Sequence, residues 1–177
     1  MNYSDDPLLI AERREREASR FRARVVLLVP LAAILFQVYV PRVFEFLEYL
    51  EMPLLVTVYF ALMRRDPISG TLIGAAVGLA QDALSSKPLG MFGIVKSLVG
   101  YFAATAGLKL DVDHPVIRFF LALFFFFFHQ FFFWVLSQAL LSQPVDFAPG
   151  RTAVLALFNA FVAVSLFHFL DKLRERS

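Results

Sequence analysis

The residues with which this 177-residue chain could do chemistry are few, and the most notable interrupt apolar runs. Asp82 closes a run that begins at Ile68, within Ala80–Gly90 (AQDALSSKPLG), with Gln81 before it and Ser85 three positions on. Lys96 stands alone inside the next run. His129 and Gln130 break FFLALFFFFFHQFFFWVLSQ (Phe119–Gln138), a stretch with ten phenylalanines. A proton relay across a bilayer wants acids inside it, and only Asp82 comes close. The three histidines, at 114, 129 and 168, lack metal-ligand spacing. Neither a G-x-S-x-G elbow nor a phosphate-cradling loop occurs. The remaining close carboxylates, Glu45, Glu48 and Glu51 and then Asp111 and Asp113, read as interfacial charge or caps. There are no cysteines, so thiolate chemistry and disulfides are excluded. The expectation is a protein without catalytic, cofactor or metal site.

The elements that must hold these residues are membrane spans. Hydrophobic residues make up 59% of the chain, against about 45–50% in a soluble domain. About 20 apolar residues cross a hydrocarbon core of roughly 30 Å. Five segments meet that length approximately: Phe21–Val40, Ile68–Leu84, Leu89–Leu108, Val116–Leu141 and Thr152–Leu170. Pro53–Met63 is short at 11 residues, and spans if Phe44–Leu50 extends it or if it is tilted and buried. Phe44–Glu51 (FEFLEYLE) reads as an interfacial amphipathic turn leading into it. Asp66-Pro67 and Asp113-His114-Pro115 each look like an N-cap acid followed by a first-turn proline. Pro88 forces a tight hairpin between spans three and four, and Pro30 sits where it would kink span one.

With six spans, thirteen basic residues fall on one side, including Arg13, Arg14, Arg16, Arg20, Arg22, Arg24, Arg64 and Arg65. The other side receives Arg42, Lys87 and Arg151. Both termini are therefore expected in the cytoplasm. The layout is an all-α integral membrane protein. Residues 1–24 form a basic juxtamembrane helix, 25–170 a six-span domain with one short second span, and 171–177 a basic tail. The six N-terminal arginines suit anionic lipid or a cytoplasmic partner. A cleavable signal peptide fits poorly, because no A-x-A-like site follows the first apolar run. Nucleic acid is excluded, because no basic face remains once the spans are removed.

Small residues let helices approach closely in lipid. Gly70, Gly74 and Gly78 recur at i, i+4 and i+8, with Gln81 and Ser85 on the same face and Asp82 at its edge. Span four carries Gly93, Ser97, Gly100, Ala104 and Gly107 on one face, flanked by Lys96. Internal packing of the hairpin and reception of a partner's helix are both open for the glycine face. Asp82 and Lys96 can form a buried ion pair that fixes hairpin register, since an unpaired charge at mid-bilayer costs roughly 2.5–3.5 kcal/mol. Alternatively, Asp82 joins Gln81 and Ser85 in an outward polar pocket for a partner or ligand, or these charges merely reach headgroups. His129 and Gln130 are expected to bond a neighbouring helix, with Asn159 and Gln37 as natural partners.

The block Glu51–Ala104 (EMPLLVTVYFALMRRDPISGTLIGAAVGLAQDALSSKPLGMFGIVKSLVGYFAA) resembles the MreD family of bacterial rod-shape-determining membrane proteins. The resemblance lies in the proline opening a short V-Y-F-A-L span and in the basic break before Pro67. A glycine-rich span follows, ending in Asp82 and Ser85, then Pro88-Leu89-Gly90 and Gly100-Tyr101. Asn159 resembles an asparagine common in the family's last span. Lys96 and the phenylalanine run are not family features. The resemblance implies a multi-pass protein of the bacterial cytoplasmic (inner) membrane. Its role would be a non-enzymatic scaffold working with a bitopic MreC-like protein, and with MreB, RodA and a class-B penicillin-binding protein. It also implies a fold similar to the substrate-binding subunits of energy-coupling-factor vitamin transporters, which makes a small-molecule capture subunit the alternative. Those subunits carry an A-x-x-x-A face on span one, and here Ala32 and Ala33 are followed at i+4 by Phe36 and Gln37.

Overall fold

The computed structural model describes residues 21–85, 89–141 and 148–174. The chain is all helix there: α1 (Ala23–Tyr39), α2 (Met52–Arg64), α3 (Pro67–Leu84), α4 (Met91–Lys109), α5 (Pro115–Leu141) and α6 (Pro149–Asp171). Five segments are long and apolar enough to cross a membrane: Ala23–Arg42, Glu45–Arg64, Met91–Lys109, Pro115–Ala139 and Pro149–Asp171. The sixth helix, α3, has 18 residues, and its glycines and polar residues dilute its hydropathy. The arm residues Arg13, Arg14, Arg16 and Arg20, and Lys87 and Pro88, lie outside the described residues.

Proline and its caps set most boundaries. The Asp66 carboxylate accepts from the N–H groups of Ile68 (3.2 Å) and Ser69 (3.0 Å), and Pro67 opens α3. The Ser69 hydroxyl and these N–H bonds hold the Asp66 carboxyl below the usual carboxylate range. The cap expected from Asp113 comes instead from His114, whose Nδ1 accepts from Val116 N–H at 3.3 Å. Asp113 is drawn away by Arg118 and Arg174. Helix α1 continues through Pro30. It ends in a 3-10 turn, Val40–Arg42, that takes in Pro41. The amphipathic stretch FEFLEYLE is a second 3-10 turn, Glu45–Tyr49, with Phe44 and Phe46 exposed.

Helix α2 is apolar on every side, and such a helix belongs in the interior. Every residue from Pro53 to Met63 is buried. It packs against all five other helices. Its one hydroxyl-bearing aliphatic residue, Thr57, donates back to the Pro53 carbonyl at 2.8 Å. The ends of the bundle differ in charge. Phe21 packs edge-on against Tyr59 and Phe60, and Tyr59 donates to Asp171 at 3.0 Å. The start of α1, the end of α2 and the end of α6 thus meet at one end, with Arg22, Arg24, Arg64, Arg65 and Arg174. At the opposite end Arg151 lies over the Tyr49 ring at 5.1 Å, beside Glu45, Glu48 and Glu51.

Candidate functional site: the α3–α4 hairpin and its polar residues

The glycine face of α3 is closed against α4. A methyl on Gly74 would overlap the Lys96 carbonyl, one on Gly78 the Phe92 carbonyl, and one on Gly70 the Gly100 carbonyl. Gly100 in turn sits on the Gly70 carbonyl, and Gly107 on that of Leu62 in α2. The helices are therefore in backbone contact, and of the two readings open for the glycine face internal packing is the one formed. Gly90, at φ +96°, turns the chain into α4.

That turn brings the first amides of α4 over Asp82. The carboxylate accepts from Gly90 N–H (3.0 Å), Phe92 N–H (3.1 Å) and Gly93 N–H (3.0 Å). Asp82 is 1% exposed and acts as the N-terminal cap of α4 from the neighbouring helix. A helix N-terminus supplies orphan N–H donors and a positive dipole end, which is what a buried carboxylate needs. The expected ion pair between Asp82 and Lys96 is accordingly not formed.

Lys96 turns the other way. Its Nζ lies 3.3 Å from His129 Nε2 and 4.4 Å from the centre of the Phe92 ring. With Lys96 charged, its ammonium can only donate, which makes Nε2 the acceptor and places the imidazole proton on Nδ1. Nδ1 is buried without a partner. The His129 and Phe92 rings are parallel within 5°, and Phe133 continues the stack. Lys96 is 0% and His129 1% exposed, so no water-sized space adjoins either. Gln81, 5% exposed, has its Oε1 buried without a partner. The Ser85 hydroxyl donates to the Asp82 carbonyl at 3.4 Å, and Gln130 is half-buried. Asp82 and Ser85 are thus together at the hairpin tip, while Lys96 and His129 form a separate buried contact.

Gln37 and Asn159 do not meet His129 or Gln130. They hold the broken backbone before α2. Asn159 accepts from Glu51 N–H at 2.9 Å and donates to the Tyr49 carbonyl at 2.8 Å. Gln37 accepts from Met52 N–H and donates to the Glu48 carbonyl, both at 3.2 Å. The 3-10 turn leaves backbone groups that an α-helix would have paired, and these amides pair them. Arg22 and Arg24 stand exposed at the start of α1.

One constellation, centred on Arg118, has no counterpart among the site residues read from the sequence. Arg118, 4% exposed, donates to both Asp171 oxygens, to Asp113 (3.3 Å) and through Nε to the Val112 carbonyl (2.7 Å). Asp171 also accepts from Tyr59. Three helices are tied at one point. The available signal was an arginine in the first turn of a phenylalanine-rich helix, which needs an acid. No cluster of His, Cys, Asp and Glu able to hold a metal occurs among the described residues.

Fold and site together define a multi-pass α-helical membrane protein whose buried polar side chains mostly cap helices and bind backbone. The chain belongs to the MreD family: the family model described as rod shape-determining protein MreD matches residues 19–176. No curated protein and no solved structure matches it. It is therefore a rod-shape-determining protein of the bacterial inner membrane.

Proposed function

We propose that this chain is a non-enzymatic scaffold of the cell-wall elongation machinery that holds a bitopic, MreC-like partner. MreB, RodA and a class-B penicillin-binding protein belong to the same assembly. The observation that carries the reading is how Asp82, Gln37, Asn159 and Arg118 are used. Each bonds backbone, a carboxylate or both within the bundle. Side chains so engaged serve architecture rather than bond-making. Membership of the shape-determining family agrees with this. With the glycine face closed, partner contact falls on the exposed surfaces of α1, α5 and α6, where Leu28, Phe124 and Phe161 stand 56–67% exposed. Anchoring both chain ends in the cytoplasm follows from the arginine-rich end.

The test is co-purification in mild detergent with the single-span partner encoded in the same cell, followed by photocrosslinking from Leu28, Phe124 and Phe161 and from the buried Phe125. Crosslinks from an outward position, and none from Phe125, are expected. Failure to co-purify, or capture from Phe125 alone, overturns the reading.

A further inference from the structure

The arginine-rich end of the bundle opens into a groove between α1 and α3, of about 560 Å³. Pro30 and Ile34 line it from α1, Leu72, Ala76 and Ala80 from α3, and Arg64 is its charged member. That volume lies within the roughly 300–1,000 Å³ of small-ligand clefts. Arg64 is half-buried, and among the described residues it makes no hydrogen bond or ion pair. Its charge acts on Asp66, whose carboxylate already accepts from Ile68 and Ser69. A guanidinium lining an apolar groove offers a fork of N–H donors that suits two oxygens of a phosphate.

The dimensions choose the occupant. From Ala23 to Ile34 the α1 wall runs about 17 Å at 1.5 Å per residue, little more than the roughly 15 Å of one leaflet's hydrocarbon. A partner's transmembrane helix would need a seat of about 30 Å and close backbone approach. The glycines of α3 that would permit such approach are turned onto α4. A single flexible chain with an anion at one end matches both the length and the charge. The geometry points to a binding site for an anionic glycerophospholipid, with one acyl chain between α1 and α3 and its phosphate on Arg64. The lipid comes from the leaflet at the arginine-rich end. Such a site needs no protein partner.

The experiment uses the full chain in nanodiscs containing phosphatidylglycerol or phosphatidylcholine with a photoreactive acyl chain, and maps labelled peptides. Labelling of the α1 and α3 segments is expected to be about fivefold higher with phosphatidylglycerol, the preference one basic residue can supply. Arg64→Gln should abolish that preference. Arg24→Gln, an exposed arginine at the same end outside the groove, should leave it. Leu72→Trp, at a position 64% exposed and so compatible with folding, should lower labelling by both lipids by filling the groove. Equal labelling by the two lipids in the unaltered chain overturns the site. So does an Arg24→Gln effect as large as that of Arg64→Gln, which would mean diffuse surface charge. Undiminished labelling in Leu72→Trp, or capture of a polypeptide by a photoreactive residue at 72, likewise overturns it.

Discussion

At Asp82 the carboxylate faces the positive end of the α4 dipole and three amide donors, so its burial is compensated without a cation. Asp82→Ala removes the acceptor and leaves three donors unpaired, those of Phe92 and Gly93 buried. It should cost about 2–3 kcal/mol, above an ordinary surface cap. Asp82→Asn keeps an acceptor oxygen and should cost less; thermal unfolding in detergent ranks the two, and equal losses would show that the cap geometry is not what matters. Lys96 presents the opposite arrangement. It is a buried ammonium whose hydrogen-bond partner is an imidazole. His129→Phe strands that charge and should destabilise by about 3 kcal/mol, the lower range for breaking a buried charged contact. The double variant Lys96→Met with His129→Phe replaces both by apolar groups and should recover most of the loss. A double variant no more stable than His129→Phe alone would mean that the charge was never the cost.

The α3–α4 hairpin behaves as one element because its backbones touch. Gly74→Ala forces a methyl into the Lys96 carbonyl, a backbone atom that can move only with its helix. A cost of about 1–3 kcal/mol is expected, as for overpacking elsewhere. At Gly93 the nearest obstacle is the end of the Leu79 side chain, so Gly93→Ala should be milder. Gly150→Ala meets nothing within 4 Å and should be close to neutral. A flat response across the three would remove the tight-contact account. The helices themselves were legible in the sequence because prolines and acids punctuate them, as Asp66-Pro67 and Pro115 show. Polar partnerships were less so. Asp82 reaches amides eight to eleven residues on, which needs the Gly90 turn to be known. Gln37 and Asn159 bind backbone freed by an irregular turn, and side-chain matching cannot anticipate such partners. The knot at Arg118 joins residues 53 apart in the chain.

For the whole molecule, the distribution of charge between the two ends fixes orientation in the bilayer. Phe21, Tyr59, Arg118 and Asp171 meet at one end, which places the beginning of α1 beside the end of α6. The described basic residues there include Arg22, Arg24, Arg64, Arg65, Lys109, Lys172 and Arg174, while the other end has Arg42 and Arg151. Lysine and arginine resist translocation, so the richer end should stay in the cytoplasm. A fluorescent reporter that matures only in the cytoplasm should glow when fused after Arg174. A periplasm-active phosphatase should be active when inserted beside Phe46, in the turn at the opposite end, which is 62% exposed. An added reporter before α1 should behave as the C-terminal one does. If the two chain ends report opposite compartments, the bundle in the membrane cannot be the one in which Phe21 packs on Tyr59. If both report the periplasm, the fold stands and its orientation is inverted. In that case the phosphate-binding end would face the outer leaflet, and the phospholipid held by Arg64 would have to be drawn from there.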